Sequence, residues 1–354
     1  MKFNRYFCPS KTQTHNKTMQ VKKVIGIGNA LTDFLVNLRN DDVLTRLNLG
    51  KGSMNLVDAE LQREIQGETA DLPHTLSLGG SAANTIRCMA RLGVKVGYIG
   101  KVGKDSTGHF YEQALDNLGI EPHITHGKNR SGRCLALVSP DGERTMVTYL
   151  GAALELSEAD IAAEMFADYD CLYIEGFMVQ SHAVIRHAIK TAKACGLKVA
   201  IDLASYNVVL ENRAFLLDIV DKYVDIIFAN EQEATAFSGE SDPEKALEFI
   251  AARCDLAIVK IGTRGALIKE KGADRVHVGI MAAAKRVDTT GAGDFYAAGF
   301  MYGLSEGMSL RACGTIGAIT AGKVIEVVGT TFGEEVWKEI HSLVEQVRRD
   351  KYLF

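Results

Sequence analysis

The chain has 354 residues, of which 47% are hydrophobic and 24% charged, with a formal net charge of -4 at pH 7. That composition describes a soluble globular protein and offers no electrostatic attraction for nucleic acid, and no apolar stretch approaches the ~20 residues of a membrane span. Seven cysteines stand singly with no CxxC pair, and nine histidines show no metal-ligand spacing, so the thiols read as free in a reducing cytoplasm and no zinc site is expected.

Residues 1–20 are polar and basic, lack the apolar core of a secretory signal, and are expected to form a disordered tail, with Met19 a candidate natural start. From residue 21 to 348 a single domain is expected, since no repeat or Pro-rich linker divides the chain. Short apolar runs recur at Val24–Ile27, Val96–Ile99, Leu135–Val138, Cys171–Ile174, Val199–Ile201, Ile226–Ala229 and Ala257–Ile261. Helical patterns lie among them at Ala82–Leu92, Gly108–Asn117, Ser181–Ala194, Pro243–Arg253, Asp294–Leu304 and Ser309–Val327. This alternation predicts an α/β fold, a mostly parallel sheet sandwiched by helices. Segments near 34–58 and 130–148 break the pattern. Each holds extended stretches around polar turns, such as Pro140-Asp141-Gly142, and could form either an edge hairpin or a small β lid over an active site.

Candidate site residues follow the same order. Gly26-Ile27-Gly28 after the first strand lacks the third glycine of a dinucleotide fingerprint, whose place is taken by Leu31, so a nicotinamide cofactor is not expected. Asn29 and Asp33 are read instead as polar groups projecting into a cleft at the carboxyl end of a parallel sheet. In Gly79-Gly80-Ser81-Ala82-Ala83-Asn84 the glycines approach a helix that Ser81 is placed to cap, and Asn84 on its first turn could donate to and accept from vicinal hydroxyls. Asn230-Glu231-Gln232-Glu233 stands at a strand end, with oxygens suited to the water shell of magnesium. Lys260-Ile261-Gly262-Thr263-Arg264-Gly265 closes another strand with glycines and positive charge that suit nucleotide phosphates. Last comes Asp288-Thr289-Thr290-Gly291-Ala292-Gly293-Asp294, an anion-binding turn opening a helix. Its backbone N–H groups favour negative charge, and Asp294 sits where it can take a proton, which points to phosphoryl transfer to a hydroxyl.

Together, Gly79-Gly80…Asn84 and Asp288–Asp294 resemble the two signatures of the ribokinase (PfkB) family of ATP-dependent carbohydrate kinases. The resemblance runs from about Val24 to Val328 and includes Gly28–Asp33, Gly100–Asp105, Asn230–Glu233 and Lys260-x-Gly262. It implies a ribokinase-like three-layer α/β/α sandwich with a small β lid, ATP and Mg²⁺ as cofactors, and a small-molecule sugar or nucleoside as acceptor. In members of the family the residue matching Asp294 deprotonates the acceptor hydroxyl, while the N–H groups matching Gly291, Ala292 and Gly293 hold the γ-phosphoryl charge. Residues matching Asp33, Gly80 and Asn84 bind acceptor hydroxyls, the acid matching Glu233 helps organise magnesium, and those matching Asp288 and Thr290 lie near a monovalent-cation (K⁺) site in several members. Gly28-Asn29-Ala30 and Gly-Gly-Ser-Ala-Ala-Asn84 look most like the adenosine-kinase-like branch, where a lid arginine, here Arg144, reaches the transferred phosphoryl. A ribokinase- or fructokinase-like sugar kinase and a non-catalytic nucleoside- or sugar-binding protein are the alternatives. A cytoplasmic monomer or homodimer, free of nucleic acid and membrane, is expected.

Overall fold

In the computed structural model, which describes residues 21–281 and 286–349, the apolar runs become buried strands because each offers side chains to both faces of a sheet. The described strands, in chain order, are β1 (Lys23–Ile27), β2 (Leu31–Asn37), β3 (Met54–Leu56), β4 (His74–Gly79), β5 (Lys95–Gly103), β6 (Glu121–Gly127), β7 (Gly132–Val138), β8 (Arg144–Tyr149), β9 (Cys171–Glu175), β10 (Lys198–Asp202), β11 (Ile226–Asn230), β12 (Leu256–Lys260), β13 (Ala266–Glu270) and β14 (Val276–Val278). The large sheet has the order β14-β13-β12-β11-β10-β9-β1-β5-β6. It is parallel from β12 to β6, and β13 and β14 add an antiparallel edge. The chain winds outward from β1 through β5 and β6, then restarts at β9 on the other side. This reversal opens a crevice at the carboxyl ends of the strands.

The period-two pattern of these strands builds two cores. Val24, Tyr173, Phe228 and Ile258 pack on one face with helices Ser81–Arg91, Ala292–Ser305 and Leu310–Val324. Ile25, Ile174, Ile201 and Val259 pack on the other with His182–Ala194, Tyr206–Tyr223 and Pro243–Ala251. The result is the expected three-layer sandwich.

A second sheet, in the order β3-β8-β7-β2-β4, covers the crevice. It is wider than the sequence pattern at 34–58 and 130–148 indicates, because it begins at Leu31 and takes in β4. One face packs Val36, Leu135, Leu137 and Val147 against Val43 and Ile65 from helices Asp42–Arg46 and Ala59–Glu68. The opposite face looks into the crevice. Helices Tyr206–Tyr223 and Glu334–Arg348 also lie outside the predicted set; the first carries polar residues through Glu211-Asn212-Arg213, which blurs its apolar stripe. Among the described cysteines only Cys195 is exposed, and all are free thiols. No described helix is long and apolar enough to cross a membrane. The predicted tail at 1–20 lies outside the described residues.

Candidate active site

Between the two sheets lies a cleft of about 900 Å³. That lies towards the upper end of the ~300–1,000 Å³ usual for a small-ligand pocket. Its floor is the carboxyl edge of the large sheet, where β9, β10, β11 and β12 end in Glu175, Asp202, Asn230 and Lys260. Its roof is the inner face of the lid sheet.

The two glycine-rich turns meet at the centre. Gly80 has φ +94° and lies so close to the Asn29 carbonyl that a Cβ would stand 2.3 Å from its oxygen. Only glycine lets the chain turn there into helix Ser81–Arg91. Gly80 is itself the N-cap. Ser81 is therefore not the predicted cap, and its Oγ is free to donate to Asp294 Oδ1 at 2.7 Å, while Asn84 Nδ2 donates to Oδ2 at 3.0 Å. Asp294 is held from the other side by its place in the first turn of helix Ala292–Ser305, whose N-cap, Gly291, takes the left-handed φ of +74°. Burial pushes the Asp294 carboxyl up to about 7; Asp202 adds to the rise, and the bonds from Ser81 and Asn84 and the charge of Lys260 oppose it. A carboxylate with that affinity is poised to accept a proton near neutral pH.

Lys260 brings positive charge to the same turn. Its Nζ donates to Asp202 Oδ2 at 2.9 Å, and a Cβ built on Gly293 would stand 3.1 Å from it. Burial works against the ammonium, but Asp202, Glu233 and Asp294 outweigh it and keep Lys260 charged. Asp202 also accepts from Ala204 N at 3.0 Å. Asn230 and Glu233 form a reciprocal capping box: Glu233 N donates to Asn230 Oδ1 at 2.9 Å, and Asn230 N and Nδ2 donate to the Glu233 carboxylate at 2.7 and 2.6 Å. Burial raises Glu233 to about 7 against the pull of Lys260. Glu233 lines the cleft and each of its oxygens already accepts a bond from Asn230, which fits contact with a magnesium hydration shell better than direct ligation. Among the described residues no cluster of three His, Cys, Asp or Glu is set to hold a metal on its own. Gly262 and Gly265 also line the cleft beside Lys260.

Two carboxylates that matter here escaped the sequence reading. Glu175, 1% exposed at the end of β9, accepts from Asn29 N and Nδ2 at 2.9 and 2.6 Å and from Ala82 N at 2.9 Å, pinning β1 to the start of helix Ser81–Arg91. Burial raises it, opposed by those three bonds. The signal for Glu175 and Asp202 was available: an acid closing an otherwise apolar parallel strand, as in Cys171–Glu175 and Lys198–Asp202, points into a cleft.

Asp33 lies on lid strand β2 rather than at the end of β1, with Gly79 packed directly beneath its carboxylate. Burial raises Asp33 to about 7, with Arg87 opposing. Around it, Leu31, Cys134, Met146, Met54 and Leu56 form the roof. Met54 and Leu56 are 74% and 71% exposed, so the roof is an apolar surface open to a ligand. Arg144 is not in the cleft lining. It pairs with Asp288 Oδ2, which also accepts from Gly329 N at 2.9 Å, while Asp288 Oδ1 accepts from Thr290 N and Oγ1 at 3.0 and 2.8 Å. Burial would raise Asp288, but these donors hold it below the usual carboxylate range. With both oxygens engaged and the charge neutralised by Arg144, Asp288 does not fit a direct cation ligand in this arrangement.

A doubly wound sandwich under a β lid, with a buried carboxylate at an anion-binding helix start, defines the ribokinase-like architecture of a phosphotransferase. The chain belongs to the pfkB family of carbohydrate kinases, whose model matches residues 50–337. It resembles a probable sugar kinase from Rhizobium etli CFN 42 (34% identity, TM-score 0.81, covering 92% of this chain and 99% of the other) and adenosine kinase from Sinorhizobium meliloti (34%, TM-score 0.80, 91% and 99%). In sequence it is 31% identical over 337 residues to adenosine kinase from Saccharomyces cerevisiae, covering 88% and 97% of the two chains. The protein is accordingly an ATP-dependent kinase with an alcohol group as acceptor, acting on a small molecule and using a divalent metal as the family does.

Proposed function

We propose that the protein transfers the γ-phosphoryl of ATP to the primary hydroxyl of a neutral ribonucleoside, in the manner of an adenosine kinase, with Asp294 as the base. The observation that carries this reading is Asp294 itself, raised to about 7, oriented through both oxygens by Ser81 and Asn84, and standing beside Lys260 at the middle of the cleft.

The N–H groups of Gly291 and Gly293, at a helix N-terminus, face the position where charge develops on the transferred group, and Lys260 adds a fixed positive charge there; the Ala292 N–H donates to Thr289 O at 3.2 Å and joins them only if that turn gives up this bond. Such positioning and charge stabilisation are the main needs of phosphoryl transfer. Gly262 and Gly265 flank the nucleotide. Mg²⁺, when bound with ATP, neutralises phosphate charge, and Glu233 and Asn230 would hold its water shell. On the acceptor side, Asp33, Asn29, Gly80 and Asn84 face the ribose hydroxyls. The Asn84 oxygen is engaged by Arg87, so Asn84 offers donors rather than acceptors.

The apolar roof favours a nucleoside over a bare sugar. Among the described lining residues the cations are Lys260, at the end of β12, and Arg286, ahead of the anion-binding turn; neither is on a lid strand, so nothing in the roof would neutralise a phosphorylated acceptor. A monovalent cation at Asp288 and Thr290 would have to compete with Arg144. We further read residues 21–348 as one kinase domain, cytoplasmic, working as a monomer or homodimer. Asp294→Asn should lower kcat with adenosine about 10³-fold, within the ~10²–10⁴ that a general base supplies, while the calorimetric Kd for adenosine changes less than about threefold. Turnover near the wild-type rate would remove Asp294 as base.

A further inference from the structure

Arg87, two turns into helix Ser81–Arg91, is 8% exposed and makes no ion pair among the described residues. A buried guanidinium without a carboxylate partner is costly, and burial pushes Arg87 down against the more distant charges of Asp33 and Asp294. What it does instead is bind neutral oxygens. Nη2 donates to Asn84 Oδ1 at 3.0 Å and to Thr330 O and Oγ1 at 2.7 and 2.8 Å, and Nη1 donates to Thr331 Oγ1 at 3.1 Å. Thr330 Oγ1 in turn lies 3.2 Å from Asn84 Oδ1, and its methyl backs Gly291, where a Cβ would approach Thr330 Cγ2 to 2.6 Å.

These contacts fix the orientation of one amide. With its oxygen held by Arg87 and Thr330, the Asn84 side chain must present Nδ2 to Asp294; turned over, it would set its carbonyl against the carboxylate. We propose that Arg87 is a positioning residue for phosphoryl transfer, locking the Asn84 amide towards Asp294 and buttressing Gly291 through Thr330, so that one side chain couples the acceptor-binding and anion-binding halves of the site. The inference rests on Asp294 being the base. Around that carboxylate stand Ser81, Asn84, Arg87 and Cys88 from helix Ser81–Arg91, Tyr173 from β9, Asp202 from β10 and Lys260 from β12; Asp33 from β2 and Tyr111 face Arg87.

Arg87→Lys keeps the charge and removes the forked geometry, so it isolates positioning from electrostatics. The kcat–pH profile, with adenosine and Mg-ATP, should be recorded for wild type, Arg87→Lys, Asn84→Ala and the double variant. We expect Arg87→Lys to lose about tenfold in kcat, with acceptor KM within about threefold and the acidic limb moved up by about half a pH unit to one unit, as Asp294 loses a donor. Asn84→Ala should move the limb similarly, and the double variant no further than Asn84→Ala alone. An unmoved limb in Arg87→Lys, or shifts that add in the double variant, would overturn the proposal. If Arg87→Lys fails to fold, Thr330→Val, which removes the hydroxyl shared by Arg87 and Asn84 and keeps the shape, should give a smaller shift of the same sign, and an unchanged limb would count equally against it. Should Asp294→Asn turn over normally, the base reading fails; should it be inactive while the Arg87→Lys limb stays in place, only the role of Arg87 fails.

Discussion

The floor and the roof of the cleft are built on opposite principles. On the floor, almost every polar atom is spoken for: Glu175 takes three N–H bonds, Asp202 holds Lys260 and the Ala204 amide, and Asp294 is gripped by Ser81 and Asn84. The roof offers Met54 and Leu56, open apolar side chains, and the half-buried Met146 around a single carboxylate at Asp33. A hydrogen-bonded floor determines geometry to fractions of an ångström, as phosphoryl transfer demands. An apolar roof determines only size and hydrophobicity, which is how acceptors are told apart.

The most disruptive way to break the floor is Lys260→Met. It removes the charge beside Gly293 and leaves Asp202, 4% exposed, without its partner. We expect kcat/KM for ATP to fall about 100-fold and unfolding in urea to show a loss of about 3 kcal/mol. The roof should respond differently. Leu56→Ala or Met146→Ala should raise KM for adenosine about tenfold, a cost of about 1–3 kcal/mol per apolar contact, and leave KM for ATP in place. Equal effects on both substrates would dissolve the division between floor and roof.

Arg144 joins the two regions, since it reaches from lid strand β8 to Asp288 in the anion-binding turn. Arg144→Ala should lower kcat several-fold and uncover a potassium activation weaker in the intact protein, because Asp288 then lacks a cation; initial rates in K⁺ and in tetramethylammonium salts compare the two. The smallest effect is on stability. The folded pKa of Asp294, about 7, lies above its unfolded value of 3.8, so the folded state binds the proton more tightly. Its ionisation is a destabilising contribution, absent below the unfolded value, growing as pH rises to 7 and complete above that. Asp294→Asn should therefore raise Tm by about a few degrees at pH 8 and by less near pH 5; an equal change at both would show no such burden.

Local signals were legible and relayed ones were not. The turn Asp288–Asp294 and the approach Gly79–Gly80 are written in consecutive residues, because an anion hole is made of neighbouring N–H groups. The parallel strands were equally plain, being apolar on both faces. Ser81 reads as a helix cap in sequence, yet with Gly80 supplying the turn its hydroxyl crosses to a residue 213 positions away. In sequence Asp33 reads as the close of the first strand, but the chain has already crossed into the lid. Arg87 resembles any charged residue on a helix, and only the fold turns it inward onto Thr330. Arg144 was placed on the transferred phosphoryl by resemblance, whereas its guanidinium lies on Asp288.

The claim that the apolar roof selects a neutral nucleoside is tested most directly by initial rates of phosphate transfer from labelled ATP to adenosine, inosine, ribose, fructose and fructose 6-phosphate, with and without potassium. Adenosine should show the highest kcat/KM, at least about 100-fold above ribose and fructose from burial of its nucleobase alone, with no measurable transfer to the sugar phosphate. A preference for ribose, fructose or fructose 6-phosphate over adenosine would contradict it.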